Sequence, residues 1–489
     1  MKNKNMNPKL TVFLFCCLLF GFAGNFMMAA ASETFAKGTV IEKVVCRISP
    51  LESYLLYLPT SYNEQQKWPV LFIFEPGGRV TFPVPLFKEA AEKFGYILVC
   101  PTNVKNGPGE PIFKAMRAVW TDLCARFAVD KGRIYAAGFS GGARVATFFN
   151  QAINNPVQGI IACGAGLSQA VQFIHIKTMH FYGIAGYGDF NYSEMVSLEK
   201  NMADQGIPHR FIFFPGNHAW PPADICWRGV EWLELMALKT GIIPKDNRLD
   251  FINETFEKEI KLAQTRVETG ETYYAVADYE GIIRLYDGLK PVDDLKQRVG
   301  QLRQTKEFKS FEKDERQRLE EEQGYIKQIS GGFAYLYQNL SGEVRVEQVI
   351  MNMGIPRLVR QLKNKKNKYD AAMAERLLFN ISMKCDGDVD EYMKNRDFKR
   401  AALAIEIGIE SGINTPFSPY FLYQRGSLYA REGNRKKALK YLQEAVKDGF
   451  KNYDYMEKDK YLDIIRDTPQ YQQLLEQLKK DYPPKTSRP

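Results

Sequence analysis

From Thr39 to about Gly241 the chain alternates short β-rich apolar runs with amphipathic segments, a pattern that predicts a mostly parallel sheet flanked by helices. Val40 to Ile48 and Tyr54 to Leu58 read as an antiparallel pair of strands. Six more follow, Val70 to Phe74, Ile97 to Cys100, Arg133 to Phe139, Gly159 to Gly164, His180 to Ile184 and Arg210 to Phe214, for an expected total of eight. Between them Leu86 to Phe94, Ile112 to Phe127, Gly141 to Asn150, Ser193 to Gln205 and Pro222 to Leu238 carry helical spacing. The middle strands are apolar almost without interruption, as strands covered on both faces must be. Beyond Pro244 the strand-like runs give way to long charged helices with apolar residues at helical spacing, for example Phe251, Phe256, Ile260 and Ala263.

At 489 residues the chain is too long for one ordinary core. Residues 1–31 read as a secretory signal peptide: Lys2, Lys4 and Lys9 precede an apolar run from Val12 to Phe22 and the small residues Ala29, Ala30 and Ala31. Gly21, Gly24 and Asn25 leave that run short of a membrane span. An exported protein is expected, periplasmic or extracellular. The expected organisation is then an α/β domain over 32–243, a helical connector over 244–375, solvated on account of its charge, and an all-α helical domain over 376–489. Removing the three leader lysines lowers the net charge from +9 to +6, with both signs interspersed, so neither a nucleic acid nor an anionic membrane is an expected partner. Lys363, Lys365, Lys366 and Lys368, among Asn364 and Asn367, read as a solvated loop. The cysteines past the leader, Cys46, Cys100, Cys124, Cys163, Cys226 and Cys385, have irregular spacing, and several sit in apolar runs. No disulfide framework is expected, and without C-x-x-C or paired-histidine spacing no metal site is either.

The candidate chemistry starts where Arg133 to Ala137 runs straight into Gly138, Phe139, Ser140, Gly141 and Gly142, a strand entering a G-x-S-x-G turn before a helix. A serine at the apex of such a turn is held in a strained backbone so that its hydroxyl projects, and its neighbours must be small for the chain to double back. The N–H of Gly141, opening a helix, points to where a tetrahedral oxyanion would form. Serine needs a base to take its proton and an acid to hold that base as imidazolium. Of the four histidines, His175, His180 and His209 lie in or beside apolar strand runs, the setting of structural histidines. His218 follows Pro215, Gly216 and Asn217 directly after a strand, where sites form. The acid is expected at the end of the penultimate strand, and Asp189 fits, delivered by a turn over Ala185, Gly186, Tyr187 and Gly188. Glu194 is the alternative. A second oxyanion donor is expected after the third strand, in Glu75-Pro76-Gly77-Gly78-Arg79, from either Gly77 or Gly78. Acyl transfer by such a serine needs no cofactor.

The runs Val70 to Gly78, Arg133 to Gly142, Gly183 to Asp189 and Pro215 to Pro221, the last reading P-G-N-H-A-W-P, resemble the poly(3-hydroxybutyrate) depolymerase and feruloyl esterase branch of the α/β-hydrolases. The resemblance covers residues 39 to 241. It implies an α/β-hydrolase fold and action on an acyl or feruloyl ester, small or polymeric, with Ser140 as nucleophile, His218 as base and Asp189 orienting it. It also implies that Trp220 lines the acyl pocket, with plain core packing as the alternative. Glu75 and Pro76 stand where those esterases usually carry a histidine. Leu422, Gly426, Tyr429, Ala438, Leu442 and Ala445, with Gly433 and Asn434 at the turn, resemble a tetratricopeptide repeat, although position 450 is Phe where that family usually has Pro. Phe398, Ala401, Ile405 and Gly408 make at best a degenerate preceding unit. That resemblance implies a surface for a protein partner, and with it a rival reading, a catalytically silent scaffold. A serine peptidase would use the same triad.

Overall fold

The computed structural model describes residues 34–168, 176–245, 248–338, 344–364, 366–413 and 415–483. The expected signal peptide and His175 lie outside them. Eight strands form one sheet: β1 (Val40–Val45), β2 (Ser53–Tyr57), β3 (Trp68–Phe74), β4 (Ile97–Pro101), β5 (Val129–Phe139), β6 (Gly159–Cys163), β7 (His180–Gly188) and β8 (His209–Asn217). Their order is β1-β2-β4-β3-β5-β6-β7-β8. β2 runs antiparallel to both its neighbours, and every pairing from β4 through β8 is parallel. This is the α/β-hydrolase fold. Every residue of β3, β4, β6 and β7 is buried, because helices cover both faces. On one side α2 (Gly109–Arg126), α3 (Gly141–Ile153) and α4 (Tyr192–Asp204) share a core with Val70, Phe72 and Phe74. On the other, α1 (Val84–Phe94) and α5 (Ala223–Lys239) pack on Leu71, Ile73 and Tyr135.

The largest departure from expectation within the sheet is at its functional end. Ala185 to Gly188 and Pro215 to Asn217 are not turns; β7 and β8 run on side by side, pairing Gly186 with Phe214 and, past a bulge, Gly188 with Asn217. Glycine permits this approach, since a Cβ on Gly186 would lie 2.2 Å from the Gly216 carbonyl oxygen. Asp189 and His218 therefore follow directly on the ends of two neighbouring strands.

The charged helices after the sheet are not a solvated connector. In α6 (Leu249–Glu268), α7 (Thr272–Tyr286) and α8 (Asp293–Gln304), Ile252, Phe256, Ala263, Val276, Ile282, Val299 and Leu302 are buried in the same core as α1 and α5. The long α9 (Lys306–Gln338), with α10 (Val346–Asn352), α11 (Ile355–Lys363), α12 (Lys368–Lys394) and α13 (Phe398–Ser411), builds a third core around Met353, Leu358, Leu377 and Ile405. The boundary expected between 375 and 376 falls inside α12, which is continuous across it. The chain closes with α14 (Ser418–Arg431), α15 (Arg435–Lys447), α16 (Tyr453–Lys458) and α17 (Pro469–Asp481). α14 and α15 form a helix hairpin in which Asn434 caps α15 by accepting from the Lys437 N–H at 3.1 Å. Phe450 stacks on Tyr423 with ring centroids 4.4 Å apart.

A buried ion pair ties α6 to the sheet. Arg210 of β8 donates to Glu259, and Arg228 of α5 lies 3.5 Å from the same carboxylate. Burial works against the charge on Glu259, yet the two guanidiniums hold its carboxyl below the usual carboxylate range. The stabilisation is therefore complete above the ordinary carboxylate pKa and is lost as the pH falls through the depressed one. Glu259→Ala strands the buried Arg210 and removes the partner of half-buried Arg228, and is expected to cost about 3 kcal/mol, read as a lowered thermal midpoint at neutral pH.

Candidate active site

The elbow follows from sterics. Ser140 sits at φ 53°, ψ −120°, a conformation rarely open to a residue with a side chain. A Cβ on Gly138 would lie 2.2 Å from the Gly142 carbonyl oxygen, and one on Gly142 would lie 2.0 Å from that of Phe74. Both positions must be glycine for β5 to turn into α3 against β3. The Ser140 N–H is anchored on the Cys163 carbonyl at 2.8 Å, so its hydroxyl faces the carboxyl ends of the strands.

There the structure brings together the three residues expected from their chain order. Ser140 Oγ lies 2.9 Å from His218 Nε2, and His218 Nδ1 lies 2.8 Å from Asp189 Oδ1. With its proton on Nδ1, the imidazole donates to Asp189 and accepts from the Ser140 hydroxyl. Asp189 is buried, and its Oδ1 also accepts from the Asn191 N–H at 2.8 Å, which fixes the carboxylate plane. The Asn191 side chain in turn donates to the Gly164 carbonyl at 2.7 Å. Two aromatic rings pack against the imidazole, Phe139 at 4.6 Å and Phe190 at 4.0 Å, centroid to centroid, tilted 41° and 36° from its plane.

The other candidates sit elsewhere. Glu194 is held by Arg144 in a two-pronged pair of 2.9 and 2.7 Å and accepts from the Gly166 N–H at 3.0 Å, so it staples α4 to α3. His180 and His209 are buried; burial pushes the imidazole of His180 down to about 4 and lowers that of His209. His209 Nδ1 is tied to the Ile207 carbonyl at 2.7 Å. Trp220 is only 9% exposed, lying between Phe139 at 5.6 Å and Phe87 at 6.2 Å, so it backs the aromatic wall behind His218 as a core residue.

The loop after β3 departs from expectation. Neither glycine offers a free N–H: Gly77 donates to the Glu75 carboxylate at 2.8 Å and Gly78 to the Glu75 carbonyl at 3.2 Å. The buried Glu75 side chain also takes the Arg79 N–H and its guanidinium at 2.8 Å each, folding the loop into a closed turn. What approaches the elbow instead is Asn106, from the loop after β4. Its N–H donates to the Pro76 carbonyl at 2.8 Å, and a Cβ on Gly141 would lie 1.9 Å from its Oδ1 and 3.3 Å from its Nδ2. Sequence reasoning missed Asn106, although one signal was present. The elbow does not itself require glycine at the position after the serine, so Gly141 marked a group packed against it.

Among the described residues no three His, Cys, Asp or Glu side chains gather closely enough to hold a metal ion, and no helix is long and apolar enough to cross a membrane. The six cysteines past the expected leader are free thiols. No protein-family model and no curated protein matches the chain. Among solved structures, it is similar to a ferulic acid esterase at 18% identity, covering 40% of this chain and 96% of that one with a TM-score of 0.33. S-formylglutathione hydrolase (FrmB) from Staphylococcus aureus is 12% identical, with 40% and 97% of the chains covered and a TM-score of 0.32. FphF, a fluorophosphonate-binding serine hydrolase of Staphylococcus aureus, is 12% identical, with 40% and 99% covered and a TM-score of 0.34.

Proposed function

We propose that this protein is a serine hydrolase of carboxylic esters. The observation that carries the reading is the continuous hydrogen-bond chain from Ser140 through His218 to Asp189, with the serine on a strained elbow. Ser140 Oγ attacks the ester carbonyl carbon as its proton passes to His218 Nε2, and buried Asp189 stabilises the imidazolium. The tetrahedral intermediate then collapses, its alcohol leaving with the proton from Nε2. Water attacks the acyl enzyme by the same route in reverse. The Gly141 N–H, in the unpaired first turn of α3, is the first oxyanion donor. The Asn106 carboxamide is the second, because either end of it can face the cleft after a half-turn about its terminal torsion. Asn106→Ala is therefore expected to lower kcat about a hundredfold with little change in KM, measured on a p-nitrophenyl ester, whereas Gly78→Ala should change stability more than kcat.

The sequence resemblance to the poly(3-hydroxybutyrate) depolymerase and feruloyl esterase branch favours esters over peptides as substrates. Assay of p-nitrophenyl acyl esters beside peptide p-nitroanilides tests this: alcohol release alone supports an esterase, and amine release at comparable kcat/KM overturns it for a peptidase. The charged, apolar and small-residue succession in residues 1–31 supports export. The tetratricopeptide-like α14–α15 hairpin supports a second role for that hairpin, holding a protein partner of the exported enzyme.

A further inference from the structure

Three residues on one stretch of α12 reach the two strand ends that carry the acid and the base. Glu375 accepts from the Asn217 side chain at 2.8 Å, and Asn217 immediately precedes His218. Arg376, fully buried, donates to the Tyr187 carbonyl, two residues before Asp189, and is paired with Glu322 of α9 through Nε at 3.0 Å. Phe379 stacks on Phe190 at 5.4 Å with the rings 12° from parallel, and Phe190 packs against His218 at 4.0 Å. Phe379 is itself backed by Phe417 at 5.4 Å. Phe139, the other ring against the imidazole, is buried at the end of β5. Phe190 follows β7 and is half-buried, with Phe379 of α12 stacked against it.

We propose that α12 is a working part of the catalytic centre and that Phe379 is a positioning residue for His218, acting through Phe190. This rests on the serine-hydrolase reading for its kinetic consequence, though not for its structural one. An imidazole bonded at both nitrogens needs its ring plane held, and a loosened Phe190 widens the range of ring orientations and lowers the fraction that keep both hydrogen bonds. A helix far along the chain, beyond the region that resembles the esterases, would then set the turnover of the hydrolase site.

The test compares full-length wild type, Phe379→Ala, Phe379→Tyr and Glu375→Ala, each first shown to unfold cooperatively near the wild-type midpoint. Two readouts are taken: kinetics on p-nitrophenyl acetate, and the strongly deshielded proton NMR signal of His218 Nδ1–H bonded to Asp189, assigned by its loss in His218→Gln. Phe379→Ala is expected to lower kcat about tenfold with KM within about twofold, and to broaden or erase the deshielded signal. Phe379→Tyr, which keeps the ring, is expected to restore both. Glu375→Ala tests the same idea at the Asn217 contact and is expected to weaken the signal in the same direction. An unchanged signal and kcat in Phe379→Ala, or no recovery in Phe379→Tyr, would overturn the proposal. If wild type hydrolyses no ester while the signal responds as expected, the esterase reading fails and the positioning role stands.

Discussion

Ser140→Ala is expected to lower kcat on any ester substrate by roughly a million-fold and to abolish the mass adduct that a fluorophosphonate leaves on the wild-type protein. The magnitude follows because the Ser140 hydroxyl is the one bonded to His218 Nε2, and the buried thiols nearby cannot replace it. Cys163, whose carbonyl anchors the Ser140 N–H, is completely buried with its thiol pushed well above the usual range by burial, and Cys226 is pushed up to about 12. A thiol held neutral and out of reach cannot take over acyl transfer. The backbone makes a second, separable statement. Ser140 and an alanine in its place both endure φ 53°, whereas glycine does not, so Ser140→Gly should be equally inactive yet melt higher than Ser140→Ala, by about 1 kcal/mol or more. Intact mass after labelling reads the first statement and thermal denaturation the second. An adduct retained on Ser140→Ala would move the nucleophile elsewhere.

How far such a site can be read from sequence depends on which groups are local. The elbow is legible because its motif lies within five residues: Gly138 is crowded by the Gly142 carbonyl, Ser140 turns the chain at φ 53°, and only the reason for Gly142, the Phe74 carbonyl, lies outside. The sheet is legible because strands buried on both faces are written as nearly unbroken apolar runs, as in β3, β4, β6 and β7, and the eight expected strands are all present. The strand ends are not, since the glycines of Gly186-Tyr187-Gly188 and Pro215-Gly216-Asn217 read as turn residues when their role is to let two strands approach. The oxyanion loop was misread for a similar reason. Its glycines suggest open N–H groups, and only the folded loop reveals that both are taken, Gly77 by the Glu75 carboxylate and Gly78 by the Glu75 carbonyl. Charge misled most of all about the helices after the sheet. Helices α6 and α8 are polar on average, yet charges such as Glu259 find partners such as Arg210 while a narrow apolar stripe enters the core. The approach of Phe379 to Phe190 spans a separation no local pattern encodes.

The second large effect separates Asp189 from Glu194 as the orienting acid. Asp189→Asn keeps the side chain's size, but one oxygen, Oδ1, accepts from both the Asn191 N–H and His218 Nδ1, so an amide nitrogen turned toward His218 gives up the Asn191 bond and favours the tautomer with its proton on Nε2. That imidazole presents a donor to Ser140 where a base is needed, and it also loses the buried charge that steadies the imidazolium. The expected loss in kcat at neutral pH is about ten-thousand-fold, with KM little changed, since the carboxylate acts only as positive charge develops on the ring. Glu194→Gln should differ in kind. Its carboxylate serves Arg144 and the Gly166 N–H, so neutralising it weakens the α3–α4 staple and lowers the thermal midpoint while kcat stays within a few-fold. Steady-state kinetics of the two variants side by side, with melting curves for both, decide the assignment. A wild-type kcat in Asp189→Asn would remove the aspartate from the mechanism, and a collapse of kcat in a folded Glu194→Gln would put the glutamate in its place.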